Sequence, residues 1–241
     1  MQIIEEHVPH IDAVFAPLDR DHTLLRIAGG NETEVYRSDD GRYVIKVKHD
    51  LGGDRDDALR AARRLDRAAR RFADCLGPEY SIASHYVISC DDEGVARVLL
   101  VQPYLNGARP LAELDYTTLS DDQRAHLASQ LRDIIRRALM MYRRNGLMPD
   151  LYGRRSTSKA ERRRLNGPLM LPWRLWSFLV KRNLLRSQNL LVTEDDALVL
   201  VDYDPVRRGP LYKALYYGVR FLLFWRDHTL VLVMKKTGRV P

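Results

Sequence analysis

The fold of this chain is decided by residues 189–205, which have the sequence NLLVTEDDALVLVDYDP. The apolar segments near its two ends predict two short strands, and the acidic residues 194–196 supply the turn between them. An antiparallel hairpin brings its first and last residues together, so Asn189 and Asp202 would place an amide oxygen and a carboxylate close to each other. Oxygen atoms of this type are the ligands that Mg²⁺ prefers. The alternative is an ordinary core hairpin whose polar ends face solvent.

Composition limits the class of protein. The chain has 241 residues, of which 45% are hydrophobic and 29% charged, as in ordinary soluble globular proteins, and this length allows one domain or two small lobes. Cys75 and Cys90 lack metal-ligand spacing, which predicts free thiols in a reducing compartment. The net charge of +7 favours anionic partners such as nucleotides, nucleic acid, lipid headgroups or phosphorylated substrates.

No stretch of the sequence predicts a membrane-spanning segment. The first residues include Glu5 and Glu6 and no long apolar run, unlike a signal peptide. The most apolar region, 211–234, contains several ionisable side chains, which predicts a buried helix rather than a spanning one. We therefore expect a cytoplasmic protein.

The first half of the chain predicts a β-rich unit. Strands at 24–27, 35–37 and 43–48, separated by a glycine turn and by Asp40-Gly41, form an antiparallel meander. A helix follows, with apolar residues at three- and four-residue steps and six arginines on the rest of its surface. We expect the arginine face to be exposed to solvent rather than to bind an anion. Two further strands complete a five-stranded antiparallel sheet. The helix is predicted at 54–76, and the last two strands at 86–89 and 96–101.

The second half predicts a helical unit. Ser120 and Gln123 have the spacing of a capping box at the start of a helix that runs to about residue 144. The segment 147–153 and a long basic stretch then precede the hairpin. Pro210 is well placed in the first turn of a last helix at 211–234.

This order of elements resembles the protein-kinase-like fold, and it looks closest to the small bacterial relatives near the aminoglycoside phosphotransferases and RIO-type kinases. The resemblance covers about residues 23–225. It implies an α+β fold of two lobes, with a five-stranded antiparallel N-lobe at 1–105 and a small helical C-lobe at 106–241.

The resemblance also implies a site for ATP and Mg²⁺. It assigns nucleotide binding to a loop, a lysine and its helix partner, and a hinge; acceptor orientation to an aspartate in the catalytic loop; and Mg²⁺ binding to the two ends of the hairpin. The nucleotide-binding loop would contain Gly30, Asn31, Thr33 and Val35, the lysine and its helix partner would be Lys46 and Asp66, and the hinge would contain Gln102 and Tyr104. Asp150 would be the catalytic-loop aspartate. Asn189 and Asp202 would bind Mg²⁺, with Asp204 as an additional candidate.

Several positions depart from the family pattern. Of the three loop glycines only Gly30 remains, and Thr33 stands in the third place. The usual histidine is missing before Asp150, which follows Met148 and Pro149. The helix at 54–76 contains no glutamate, so the shorter Asp66 is the candidate partner of Lys46.

The largest departure is the 39 positions between Asp150 and Asn189. The family spacing of five implies an insertion at about 154–187; the alternative is that Asp150 is not the equivalent residue. This segment has ten Lys or Arg and one acid. Residues 172–186 predict an amphipathic helix with Trp and Leu on one face, which packs on the helical lobe or contacts an anionic membrane or, less favoured, nucleic acid.

These observations lead to a main hypothesis and two alternatives. The main one is an ATP- and Mg²⁺-dependent phosphotransferase whose hydroxyl acceptor is a small molecule, a lipid or a protein. The first alternative is a pseudokinase, a binding or scaffold module that does not catalyse transfer. The second is a basic protein of the membrane surface or of nucleic acid; a peripheral position at the inner membrane face would suit it.

Overall fold

The described residues form an α+β protein with two antiparallel sheets and three α-helices, which confirms the predicted α+β class. A computed structural model describes residues 2–3, 25–29, 33–38, 40–90, 95–153, 183–203 and 209–239. The chain divides into two compact units. The described residues of the first unit belong to Met1–Ala69 and Ala83–Tyr104, and those of the second belong to Arg70–Ile82, Leu105–Arg155 and Glu161–Pro241.

The first unit contains a sheet of six strands rather than the predicted five. The order is β1-β5-β6-β4-β3-β2, with all neighbours antiparallel. The strands are β1 (Gln2–Ile3), β2 (Leu25–Gly29), β3 (Thr33–Arg37), β4 (Tyr43–Gly53), β5 (His85–Cys90) and β6 (Ala96–Pro103). The additional strand is β1, whose two residues pair with the edge of β5. A two-residue strand has too little hydrophobic pattern to be recognised in a sequence.

The predicted meander is present in β2, β3 and β4. Between β3 and β4 the chain turns at Gly41, which has a φ of 70° that favours glycine. Asp40 stabilises this turn: Ser38 Oγ and Arg42 N donate hydrogen bonds to its Oδ1, at 2.6 and 3.0 Å. These hydrogen bonds and the Arg42 guanidinium lower the pKa of Asp40 to about 2.

The core of the sheet is formed by Ile45, Val87, Leu99 and Val101, all less than one-tenth exposed. Ile45 of β4 pairs with Val101 of β6, and Val87 of β5 pairs with Leu99 of β6, so the four residues lie on three neighbouring strands. The alternation of a strand places Lys46, the next residue, on the opposite face from Ile45.

The helix after β4 confirms the sequence pattern. Helix α1 spans Arg55–Leu76, and the apolar residues at its three- and four-residue steps are buried. The six arginines of its basic face are all exposed, as expected for a face in solvent. They are Arg60, Arg63, Arg64, Arg67, Arg70 and Arg71.

The second unit combines two long helices with a small sheet. Helix α2 spans Asp121–Asn145 and helix α3 spans Pro210–Thr237. The predicted hairpin is present as β8 (Leu190–Val192) and β9 (Leu198–Leu200), and a short strand β7 (Arg109–Pro110), which the sequence did not predict, pairs with β8. Both helices end at a glycine in the left-handed conformation, which satisfies their last carbonyl groups.

Two predictions for this unit were wrong in part. Helix α3 is not buried all round: Leu211 is 85% exposed, because it lies on the side of the helix opposite the buried residues Arg220 and Asp227. The predicted helix at 172–186 does not continue to its end, because Asn183 is extended and Leu184–Arg186 form a 3₁₀ turn. The rest of the predicted insertion lies outside the described residues.

Among the helices of the described ranges, none combines the length and the apolar composition that crossing a bilayer requires.

The N-terminus of α2 gives a direct test of the fold. Ser120 Oγ accepts a hydrogen bond from Gln123 N, and Gln123 Oε1 accepts one from Ser120 N, each at 3.1 Å. We expect Ser120→Ala to lower the free energy of unfolding by about 1 kcal/mol, measured in urea. The control is Ser129→Ala at an exposed position inside α2, where alanine is the better helix former and stability should stay equal or rise slightly. An equal loss in both variants would contradict the capping role.

Candidate functional site

At the open end of the hairpin, the strand pairing continues to Asn189 and Val201, next to Asp202. Leu190 pairs with Leu200, and Val201 N donates a hydrogen bond of 2.9 Å to Asn189 O, so the pairing continues to Asn189. Asp202 is therefore one position beyond the last pair. Directly after it, Tyr203 is buried, and its hydroxyl accepts a hydrogen bond of 2.9 Å from Ile82 N. This contact fixes the backbone that follows Asp202.

Asn189 lies against Asp150 although the sequence separates them by 39 positions. Its side-chain Nδ2 donates a hydrogen bond of 2.8 Å to the backbone oxygen of Asp150. Ser187, which is completely buried, joins the same two segments: its Oγ donates to Leu151 O and accepts from Asn189 N at 3.1 Å. Asp150 and Asn189 are thus neighbours in space, as the insertion hypothesis requires.

Gly153 fits closely against the amide of Asn189. Its φ is 55°, a conformation that favours glycine. A Cβ atom at this position would lie 2.4 Å from Asn189 Oδ1 and 2.7 Å from Asn189 N. The site therefore needs glycine here, and the hydrogen bond to Asp150 together with this close packing holds the Asn189 amide in one orientation.

The donor atoms at the hairpin end suit a hard cation. Asn189 donates through Nδ2, which leaves Oδ1 as the acceptor of its amide, and Asp202 supplies a carboxylate. Over the described ranges, no group of three or more His, Cys, Asp or Glu side chains is arranged so that it could hold a metal ion. The Asn189 amide and the Asp202 carboxylate could hold Mg²⁺ only together with water or phosphate oxygens, which would complete the coordination.

The carboxylate of Asp150 is held by a buried arginine of α3. Arg220 Nη2 lies 2.7 Å from Asp150 Oδ1, and Arg220 is only 1% exposed whereas the Asp150 side chain is 34% exposed. Tyr152 N also donates to Oδ1, at 3.1 Å, and Tyr216 OH lies 3.5 Å from Oδ2. Oδ1 of Asp150 is therefore bound by Arg220 and Tyr152. Within the described residues, the hydrogen-bond partner of Oδ2 is Tyr216.

Two tyrosine rings enclose the guanidinium of Arg220. Its Cζ lies 4.3 Å from the ring centroid of Tyr152 and 4.7 Å from that of Tyr216, which places a cation between two aromatic faces. Burial opposes the charged form, but Asp150 and Tyr216 outweigh it, so the pKa of Arg220 is raised above its usual value.

A second charged residue of α3 supports the same segment. Asp227 is 1% exposed, accepts hydrogen bonds from Tyr152 OH and from Leu184 N at 3.2 Å, and pairs with Arg226 Nη2 at 2.8 Å. Burial raises the pKa of Asp227, while these donors act in the opposite direction. Because Tyr152 OH bonds to Asp227 and its ring covers Arg220, the two charges of α3 fix residues 150–152.

Neither Arg220 nor Asp227 has a role in the functional hypothesis that the sequence supports. Their signal was present: both fall on the three- and four-residue steps of the buried side of α3. That series consists of Tyr217, Arg220, Phe224, Asp227, Val231 and Met234. Charged residues in an otherwise apolar stripe are almost never buried unless they are paired.

The predicted nucleotide-binding residues belong to the first unit. Lys46 is half-buried on β4, where it pairs with Val35 of β3 and Leu100 of β6. Asp66 is half-buried on α1. Gly30 and Asn31, as well as the side chain of Thr33, lie outside the described residues.

The predicted hinge residues are held in place by contacts within the first unit. Gln102 is 2% exposed, and its Nε2 donates a hydrogen bond of 2.9 Å to Ser84 Oγ. Tyr104 N donates to Arg42 O at 2.7 Å, and the guanidinium of Arg37 lies 5.3 Å from the centroid of the Tyr104 ring. Lys46, Gln102 and Tyr104 belong to one unit, whereas Asp150, Asn189 and Asp202 belong to the other.

Comparison of the chain with models of protein families returned no match, and comparison with curated proteins returned none either.

The Asp150–Arg220 pair should be energetically coupled. Asp150→Asn leaves a buried cation without its partner, so we expect it to lower the free energy of unfolding by about 2 kcal/mol, less than for a fully buried pair because Asp150 is partly exposed. Adding Arg220→Met should recover about 1 kcal/mol of that loss in a double-mutant cycle, measured by urea unfolding.

The matched control is the exposed pair of Asp57 and Arg60 on α1. The cycle of Asp57→Asn and Arg60→Met should show a coupling of no more than about 0.5 kcal/mol, since both side chains are in solvent. Equal coupling in the two cycles would contradict the structural importance of the buried pair.

Proposed function

We propose that this chain is an ATP- and Mg²⁺-dependent phosphotransferase of the protein-kinase-like fold that acts on a hydroxyl acceptor. The observation that supports it most is the hydrogen bond from Asn189 Nδ2 to the backbone oxygen of Asp150. It joins Asn189, the candidate metal ligand, to the backbone of Asp150, the candidate acceptor-orienting residue, although 39 positions separate them.

The chemistry of phosphoryl transfer explains why these residue types would be needed together. The reaction depends on positioning and on neutralising phosphate charge rather than on covalent catalysis. Asn189 and Asp202 would hold Mg²⁺, which when bound neutralises charge on the phosphate oxygens. Lys46 would contribute a second positive charge to the phosphates, and Gly30, Asn31, Thr33, Val35, Gln102 and Tyr104 would form the rest of the nucleotide site.

Asp150 would orient the acceptor hydroxyl through Oδ2. Its other oxygen, Oδ1, accepts from Tyr152 N and pairs with Arg220, so the direction of the carboxylate is set by buried groups. A carboxylate held in one direction loses little conformational entropy when it accepts a hydrogen bond from a substrate. Its 34% exposure leaves room for an acceptor to approach.

The second candidate function is nucleotide binding without transfer. The ion pair with Arg220 favours it, because a permanent cation at 2.7 Å competes with an acceptor hydroxyl for the negative charge of Asp150. The Met148-Pro149 sequence in front of Asp150 points in the same direction.

Nucleotide binding is the first property to test. Mg²⁺-ATP at about one hundred times its dissociation constant should stabilise the protein by roughly 2.7 kcal/mol, which raises the melting temperature by several degrees for a chain of this size. We expect this shift to require Mg²⁺ and to be lost in Asp202→Asn and in Gly153→Ala, whose Cβ displaces the Asn189 amide. The measurement is thermal unfolding of each variant with ATP, with and without Mg²⁺.

The control for Asp202→Asn is Asp195→Asn, the same substitution at an exposed position in the hairpin turn. It should keep the full Mg²⁺-dependent shift. Absence of any shift in the unsubstituted protein, or a shift that survives in Asp202→Asn, would refute the assigned metal site.

Transfer is tested separately from binding. We expect Asp150→Asn to keep the Mg²⁺-dependent thermal shift but to slow phosphate release from ATP, or label incorporation into the protein, by about a hundredfold or more. If the unsubstituted protein binds Mg²⁺-ATP and shows neither activity above Asp150→Asn, the binding module is the correct function.

A further inference from the structure

Large apolar side chains that are exposed to solvent are concentrated on one helix. Of the eight such residues in the described part of the chain, seven lie on α3 and the eighth, Met140, lies on α2. Those on α3 are Leu211, Tyr212, Leu215, Leu222, Trp225, Leu232 and Val233. Isolated exposed apolar residues are normal, whereas a contiguous group indicates a binding surface.

Six of the seven form a continuous stripe along α3. At 100° per residue they fall within an arc of about 100°, and Tyr212 lies outside it. Ala214, Gly218 and Thr229 occupy the positions between them, so no charge interrupts the stripe from Leu211 to Val233. With a rise of 1.5 Å per residue its length is roughly 33 Å. We call Leu211, Leu215, Leu222, Trp225, Leu232 and Val233 the α3 stripe.

Arginine side chains border the α3 stripe. A groove between α2 and α3 is lined by Trp225 and Met140 together with Arg132, Arg136 and Arg143 of α2. The acid in this groove, Asp133, is paired with Arg136 and Arg137. On α3 itself the single acid, Asp227, is buried, while Lys235 and Lys236 are exposed at the end of the stripe. On the side of this groove and at its C-terminal end, the border of the stripe is therefore cationic.

We propose that the α3 stripe and its arginine border bind the surface of an anionic lipid bilayer, with α3 lying parallel to the membrane plane. A row of Leu side chains with Trp225 suits the boundary between headgroups and acyl chains, and the neighbouring arginines suit anionic headgroups. The exposed side chains at the N-terminal end, Leu211 at 85% and Leu215 at 67%, would enter the bilayer without any change of fold.

Charge complementarity favours a membrane over a second copy of the chain. Two copies that met through this surface would bring their arginines together, on a protein whose net charge is already +7. An anionic bilayer offers the opposite charge and an apolar interior at the same surface. The α3 stripe contains no residue of 172–186, for which membrane contact was one of the alternatives that the sequence left open, and this proposal does not depend on the proposed phosphotransferase activity.

The experiment is sedimentation of the full chain with lipid vesicles. We expect binding to vesicles of equimolar phosphatidylglycerol and phosphatidylcholine, and little binding to phosphatidylcholine alone. Leu222→Ser with Trp225→Ser should weaken binding at least about tenfold, because two large apolar side chains no longer leave water. The pair Leu211→Ser and Leu215→Ser is a second, independent disruption of the same stripe, and thermal unfolding checks that each variant is folded.

A charge-matched comparison tests the border. Arg136→Ser with Arg143→Ser should weaken binding to anionic vesicles more than Arg63→Ser with Arg64→Ser, which removes the same charge from the exposed face of α1. Absence of binding, or binding unchanged by both stripe variants, would refute the proposal. A dimer in solution that the stripe variants convert to monomer would also refute it, since the occupant would then be a second copy.

Discussion

The second unit depends on the ion pair between Arg220 and Asp150. An arginine that is 1% exposed is costly to bury, and its Nε and Nη1 have no hydrogen-bond partner within the described ranges. The carboxylate at 2.7 Å and the two tyrosine rings are what makes this burial tolerable. The position of Asp150 is therefore fixed by the need to neutralise the guanidinium of Arg220 on the buried side of α3.

The remaining contacts of the site extend from this pair. Tyr152 links the two charges of α3, since its ring covers Arg220 and its hydroxyl bonds to Asp227. Asp227 also accepts a hydrogen bond from Leu184 N, so Tyr152 and Leu184 contact the same carboxylate. Ser187 and Asn189 then bond to residues 150–151. A series of polar contacts thus holds Asp150 next to the hairpin, although the two are far apart in the sequence.

Helix α3 has an unusual distribution of polarity. Its buried side includes Arg220 and Asp227, and its exposed side includes a row of leucines and a tryptophan. The exposed row follows from the sequence, because a helix with large apolar residues on more than one side can bury only one of those sides in a small unit. The charges on the buried side organise the candidate site, and the apolar exposed side remains available for a partner.

Local sequence determined the regular elements of this protein. The three- and four-residue periodicity of α1, the capping box at Ser120 and the alternation of the hairpin depend on neighbouring residues, and each element was predicted close to its observed bounds. The pairing of Asn189 with the end of the hairpin followed from the antiparallel geometry alone. The roles of Lys46, Asp66 and the hinge residues rest on the resemblance and remain predictions.

Only the tertiary structure decided how distant segments meet. The two-residue strand β1 has no pattern of its own and exists through pairing with β5. The buried roles of Arg220 and Asp227, the extended Asn183 and the exposure of the α3 stripe all depend on which side of a helix the rest of the chain covers. Periodicity predicts which residues share one side of a helix. Whether a charge on that side can be buried depends on a partner that can be 70 residues away, as Asp150 is from Arg220.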